Sequence, residues 1–189
     1  AKAAAPLIVF VDEAEKLLGQ QGDRDGGAHD AVLGQFLTFI QEDDSGVFFV
    51  FTANNMYKFA PELIDRFEGR FFIDLPDSEE REEIIKIHLN LRRQVLTDSE
   101  IKELVTISAN FSGRNIEDGI EEAMIRSFSE DRPLEMIDLV SVFSVLVPTS
   151  KTKQKEIEIM RSFVENGTMR RANSVQTVTS TNKQSHNDY

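Results

Sequence analysis

Three apolar runs set the frame of the first eighty residues. Leu7-Ile8-Val9-Phe10-Val11 is an unbroken β-branched and aromatic stretch, and Val47-Phe48-Phe49-Val50-Phe51 is a second. Continuous runs of this kind predict strands buried on both faces of a parallel sheet. A third strand is predicted at Phe72-Ile73-Asp74-Leu75, closed by Pro76. Between the first two, Val32, Leu33, Phe36, Leu37, Phe39 and Ile40 fall at helical spacing, predicting an amphipathic helix from Ala31 to about Gln41. A short helical piece, Ala14 to Leu18, and a Gly/Asp-rich loop, Gly19 to Asp30, precede it.

Beyond Pro76 the period becomes helical throughout. A helix capped by Ser78 runs to about Arg93, a second follows Thr97 or Asp98, a third opens at Ser112-Gly113, and a fourth spans about Leu134 to Leu146. Short connections between four amphipathic helices make a small bundle. A further helix is expected from Lys151 to about Glu165, and residues 166–189, poor in large apolar groups, are expected to be disordered. The domain reading is an α/β part over 1–76, a helical part over 77–148, a helix within 149–165 and a tail over 166–189.

The strand ends carry the chemistry. The first run passes directly into Asp12-Glu13, and ligands of parallel sheets bind beyond the carboxyl ends of the strands. Two adjacent buried carboxylates are costly unless a cation or a reaction uses them; the plainer alternative is a pair of solvated acids opening a helix. The second run ends in Thr52-Ala53-Asn54-Asn55, where Asn54 is placed to hold a phosphate or a water and Asn55 to form the turn. Arg66 and Arg70 follow in Asp65-Arg66-Phe67-Glu68-Gly69-Arg70, either as phosphate ligands or as loop arginines paired with Glu62, Asp65 or Glu68.

These blocks, in this order, resemble the second half of an AAA-type ATPase module. Leu7 to Glu13 is similar to the Walker B strand, Thr52 to Asn55 to the sensor-1 strand end, and Arg66 and Arg70 to the two arginines of the second region of homology. The segment DSEEREEIIKIHL, from Asp77 to Leu89, resembles the start of the family's helical lid. The TANN wording, the helix VLGQFLTFIQE and the tail VPTSKTKQKEIEIMRSF resemble a branch of AAA proteins found in bacteria, phages and plastids. The resemblance implies the C-terminal part of a P-loop NTPase parallel sheet with flanking helices, followed by a small all-helical lid. It implies ATP with Mg²⁺, Asp12 holding the ion directly or through water, Glu13 acting on the attacking water, and Asn54 as sensor. Arg66 or Arg70 would be the finger in trans, in a homo-oligomeric ring (a hexamer in the family) that remodels a protein client. Arg114, at the start of the third lid helix, stands where many relatives of the wider superfamily contact phosphate, although an exposed helix-start arginine is the alternative. The spacing from Arg66 to Arg70 is one residue longer than the family's R-x-G-R, which leaves open which arginine reaches the phosphate.

One block is absent. No G-x-x-x-x-G-K-[ST] occurs, so the phosphate-cradling loop and its Lys are missing. The chain is therefore expected to be part of a longer protein and to be inactive alone. Two other classes stay open: a non-catalytic AAA-like assembly subunit lending arginines in trans, and half of a DExx helicase, whose later motifs are absent.

Charge and composition narrow the partners. The formal charge is −12; residues 149–189 hold seven Lys/Arg against four Asp/Glu, a net +3, which leaves −15 on residues 1–148. An acidic body speaks against nucleic acid as partner. There are no cysteines, hence no disulfide or Cys-based metal site. His29 and His88 have no set of partners at metal-ligand spacing. The apolar runs are too short to span a bilayer, and a cytoplasmic protein is expected. The Gly22–Asp30 loop is read as a plain loop or as the lining of a ring's pore.

Overall fold

The computed structural model describes residues 6–19, 26–42 and 46–172. The chain divides into two compact units: one holds the residues up to Arg70 together with Glu158–Thr168, the other Phe71–Ile157 and the residues from Met169. Most of the expected tail, residues 173–189, and residues 20–25 of the Gly/Asp loop lie outside the described residues, while residues 26–30, expected in that loop, belong to a helix.

In the first unit β1 (Leu7–Val11) pairs in parallel with β2 (Val47–Phe51), Leu7 opposite Val47 and Val11 opposite Phe51. Between them come α1 (Glu15–Leu18) and α2 (Gly26–Glu42), the latter starting five residues before the expected Ala31. Side chains alternate along a strand, and only one face of this pair is covered. Phe36 and Phe39 of α2 meet Phe49 edge-on at 5.9 and 5.8 Å, and Phe36 meets Phe51 at 5.7 Å. On the opposite face Ile8, Phe10 and Phe48 stand 70%, 62% and 65% exposed. The expectation of burial on both faces is thus corrected: among the described residues, no element covers that second face. The unit's buried residues gather instead past the strand ends, where Ala14 and Leu18, Met56, Phe59, Ala60 and Leu63 of α3 (Pro61–Ile64) are shielded from solvent.

The third strand also differs. β3 covers only Phe71–Phe72 and pairs in parallel with β4 (Arg170–Arg171), inside the stretch expected to lack structure. Asp74 ends it. Its buried carboxylate accepts from the Leu75 N–H at 2.8 Å and from Arg171 Nη1 at 2.8 Å, which turns the backbone off the ladder, and Pro76 has no N–H to continue it.

The second unit is helical: α4 (Ser78–Leu91), α5 (Asp98–Ile107), α6 (Gly113–Ser129) and α7 (Met136–Val145). The caps explain the boundaries. Asp77, not the expected Ser78, caps α4: the Glu80 N–H donates to its carboxylate at 2.9 Å and Glu80 Oε2 accepts from the Asp77 N–H at 3.0 Å. Thr97 with Glu100 and Ser112 with Asn115 repeat this reciprocal pairing. Ile85, Leu104, Ile116, Ile120, Leu139 and Val142 are fully buried at the centre of the bundle. Gly119 lets α6 and α7 approach, since a Cβ there would lie 2.6 Å from the Phe143 ring. The expected single helix after residue 150 is two, α8 (Thr149–Thr152) and α9 (Gln154–Glu165), broken at Lys153.

Candidate nucleotide site at the strand ends

The chain leaves β1 through a left-handed residue: Glu13 has φ +48°, a conformation that is uncommon for a side-chain-bearing residue. That turn places three acids, Asp12, Glu13 and Glu15, opposite the end of β2. Thr52 organises them. Its hydroxyl donates to Asp12 Oδ1 and accepts from the Glu13 N–H at 3.1 Å, while its carbonyl accepts from the Ala14 N–H at 2.8 Å. Its own N–H donates to the Val11 carbonyl at 3.0 Å, so the parallel pairing continues past the strands to the acids.

Asn54 completes the group. Its Nδ2 approaches Glu13 Oε1 at 3.5 Å, a long but direct link between the second acid and the amide. The structure thus brings together Asp12, Glu13 and Asn54, three of the residues singled out from the sequence. Asn55 forms the turn into a 3₁₀ segment, Met56–Lys58, as its type suggests.

Burial within the acid group is the reverse of the expectation. Asp12 is exposed and Glu13 half-exposed, whereas Glu15, at 7% exposure, is the buried carboxylate. Glu15 Oε1 accepts from the Asn54 backbone N–H at 3.1 Å. Sequence reasoning passed over Glu15 and Thr52. The available signals were a third acid two residues after the pair and a hydroxyl at the strand end facing it. Lys16 was missed too: its ammonium pairs with Glu13 Oε2, the hydrogen bond to Glu13 and then its charge holding the ammonium above its ordinary value.

The arginines differ among themselves. Phe67 stacks edge-on against Phe51 at 5.0 Å, fixing the loop that follows α3 to the last residue of β2. Arg66, next to that anchor, is exposed and has no carboxylate partner among the described residues. Arg70 is partly buried and lies 4.0 Å from Asp65. No hydrogen bond or ion pair joins either to Asp12, Glu13 or Asn54 among the described residues. Arg114 belongs to the helical unit, where Asp118 at 2.9 Å and Glu117 at 3.5 Å hold its exposed guanidinium along α6. That is the surface arrangement that the sequence offered as its alternative. His88 sits partly buried against Arg92 and Glu117.

The donor set suits Mg²⁺. Asp12 Oδ1 is committed to Thr52, and Oδ2 has no partner among the described residues, which leaves one exposed carboxylate oxygen. No cluster of three or more metal-binding side chains exists among the described residues. A single carboxylate, with water and substrate phosphates filling the remaining positions, is the usual protein share of a Mg²⁺ site. No helix of the described residues is long and apolar enough to cross a membrane.

Parallel strands tipped by an acid pair and an amide, followed by a helical bundle, fit the P-loop NTPase class of α/β fold. Within that class, residues 1–75 match the sequence model of the ATPase family associated with various cellular activities (AAA). Over these residues the chain belongs to the AAA family. It is 38% identical over 176 residues to the AAA domain-containing protein ycf46 of Guillardia theta, covering 91% of this chain and 35% of that protein. It is also 31% identical over 144 residues to the ATP-dependent zinc metalloprotease FtsH 2 of Petrotoga mobilis, covering 70% of this chain and 22% of that protein. The chain thus spans about a third of the length of its ycf46 relatives. The crystal structure of the FIGL-1 AAA domain superposes with a TM-score of 0.72 at 19% identity, over 87% of this chain and 58% of that one. The likeness to that domain concerns the fold.

Proposed function

We propose that this chain supplies the acid, amide and arginine half of an ATP-hydrolysing AAA module, working in a ring that couples turnover to remodelling of a protein partner. One observation supports this best: Thr52 and Asn54 at the end of β2 hold Asp12 and Glu13 at the end of β1. The FIGL-1 domain of the same fold has been crystallised with ADP, which agrees with nucleotide as the ligand. The phosphate-cradling loop would come from outside these 189 residues, so the piece alone is expected to be inactive.

In this reading each group has one task. Asp12 holds Mg²⁺ through its unengaged oxygen, directly or through water. When bound, the ion neutralises charge on the phosphate oxygens. Glu13 accepts the proton of the attacking water, a role open to it once Lys16 yields its place on Oε2. Asn54, already 3.5 Å from Glu13, orients that water or the terminal phosphate. Arg66, exposed and without a carboxylate partner among the described residues, is the better candidate for the finger that reaches the nucleotide of the next subunit; Arg70 is engaged by Asp65. No part falls to Arg114 while Glu117 and Asp118 hold it.

Mixing of subunits tests the reading. In the full-length protein, Arg66→Ala and Glu13→Gln are each expected to bind ATP and to hydrolyse it poorly, since an arginine finger contributes ~10³–10⁵ in rate in other NTPases. Co-assembled, the two inactive variants should regain part of the turnover, because some interfaces pair an intact acid with an intact arginine. Mixed rings that form and stay inactive at every ratio would exclude trans action. No turnover by the unmodified full-length protein alone, beside stimulation of a partner ATPase that Arg66→Ala removes, would mark a non-catalytic subunit that only lends arginines.

A further inference from the structure

We infer that Glu15 is a positioning residue for hydrolysis, acting through the backbone of Asn54. The inference rests on the ATPase reading above. Glu15 is the first residue of α1, and its side chain reaches back to the Asn54 N–H at 3.1 Å, joining segments 39 residues apart. At 7% exposure this charge-assisted bond is little screened by water. It is the hydrogen bond that fixes the main chain of Asn54, while the side chain of Asn54 points at Glu13 Oε1.

Glu15 does not sit there for its own comfort. Its second oxygen, Oε2, is buried with no partner among the described residues, and so is Asn55 Oδ1 in the same turn. A carboxylate oxygen shut away from water without a donor weakens a fold. The single contact that Glu15 makes well is the one that holds the amide in register with the acid. Without it, the Asn54-Asn55 turn is free to adopt the other turn conformations that asparagine favours. Asn54 then points at Glu13 only part of the time. The nucleotide's binding groups elsewhere are untouched, so the loss falls on the chemical step.

The test is a double-mutant cycle in the full-length protein, read together with amide hydrogen exchange of the Thr52–Met56 segment. Glu15→Ala should lower kcat about 10- to 100-fold, the scale of a misplacement near 1 Å, with the KM for ATP nearly unchanged. Exchange at Asn54 should rise. Glu15→Gln keeps an oxygen acceptor at Oε1 and should restore most of both. In an Asn54→Ala background, Glu15→Ala should cost less than about a further twofold, because the group it positions is already gone. Should Glu15→Ala fail to fold, Glu15→Asp, one carbon too short to reach the N–H, serves in its place. Full additivity of the two kcat losses, or unchanged exchange at Asn54 in the Ala or Asp variant, overturns the inference. No ATP turnover by the unmodified full-length protein would instead sink the ATPase reading, and the exchange measurement would still decide whether Glu15 orders Asn54.

Discussion

The helical unit spends its sequence on closure, and the strand unit leaves much of its own open. In the former, α4, α5 and α6 start at reciprocal caps, and Ile116, Ile120, Leu139 and Val142 lose all contact with solvent. In the latter, among the described residues, Ile8, Phe10 and Phe48 line an uncovered sheet face, Glu13 sits at positive φ, and Glu15 carries an unpaired buried oxygen. Two of the three buried unpaired side-chain atoms among the described residues, Glu15 Oε2 and Asn55 Oδ1, lie where chemistry is proposed, whereas left-handed side-chain-bearing residues occur in both units. Variants should therefore separate cleanly: strand-tip changes alter rate and leave stability alone, and bundle changes do the opposite.

The largest expected effect is on the strand side. Glu13→Gln in the full-length protein should reduce kcat at least about 10²-fold, the usual share of a positioned base, and change unfolding stability by less than about 0.5 kcal/mol. Asp12→Asn should instead weaken Mg²⁺-dependent nucleotide binding. Steady-state kinetics beside a denaturation curve check both. Equal loss of stability and rate in Glu13→Gln would erase the contrast between the units.

How far these regions were legible follows from the same contrast. Apolar runs and caps report local energetics, so β1, β2 and the four bundle helices could be read from spacing, with Asp77 in place of Ser78 the main slip at a cap. Asp12, Glu13 and Asn54 were legible because strand ends carry ligands, and the structure joins them. Glu15 and Thr52 were not, because their meaning lies in a register between β1 and β2 that no single window contains. The same holds for the pair of Arg171 with Asp74, 97 residues apart, which cuts β3 short. Full burial of β1 was misread because an apolar run shows what a strand can bury, while neighbouring elements decide what it does bury.

On the bundle side the largest change is electrostatic. Arg132 grips Asp138 with two hydrogen bonds of 2.7 Å, and Asp138 also accepts from the Glu135 N–H at 3.0 Å. The Arg132 guanidinium, aided by that N–H, draws the Asp138 carboxyl down to about 2. A depressed carboxyl contributes stability above its ordinary value near ~4 and loses it as pH falls towards the folded value. Arg132→Ala should cost about 1–3 kcal/mol near neutral pH by leaving Asp138 partly unpaired, with no change in kcat per folded ring. The gap from the unmodified protein should narrow as pH falls from about 4 to 2. A gap independent of pH would mean that Arg132 acts by packing alone.

Gly119→Ala should be somewhat milder. Helix propensity favours Ala by about 1 kcal/mol, but its Cβ would lie 2.6 Å from the buried Phe143 ring and 3.1 Å from Leu146 Cδ1. Overpacking of this kind costs about 1–3 kcal/mol, so a net loss of up to about 2 kcal/mol is expected in a denaturant titration. A stabilised Gly119→Ala protein would show that α6 and α7 have slack, and the bundle would not be the tightly closed partner in the comparison.

The smallest effect sharpens the contrast most, because it asks whether strain in the bundle serves anything. Arg93 has φ +56° after α4, where the Gln94 N–H reaches the Leu89 carbonyl at 2.9 Å in a helix-ending turn that favours glycine. A left-handed residue costs an L side chain roughly 1–2 kcal/mol, and glycine returns about 0.5–1 of that through the freedom it adds to the unfolded chain. Arg93→Gly should therefore stabilise the helical unit by about 0.5–1 kcal/mol and leave turnover unchanged. Asp131, at φ +54° in the matching turn after α6, should gain less from the same change, since short polar side chains tolerate this conformation. Glu13 shares the backbone conformation but not the outcome: Glu13→Gly relieves the same strain and should still abolish hydrolysis. If Arg93→Gly also slowed turnover, the strain after α4 would belong to function, and the line between an inert bundle and a reactive strand tip would have to move.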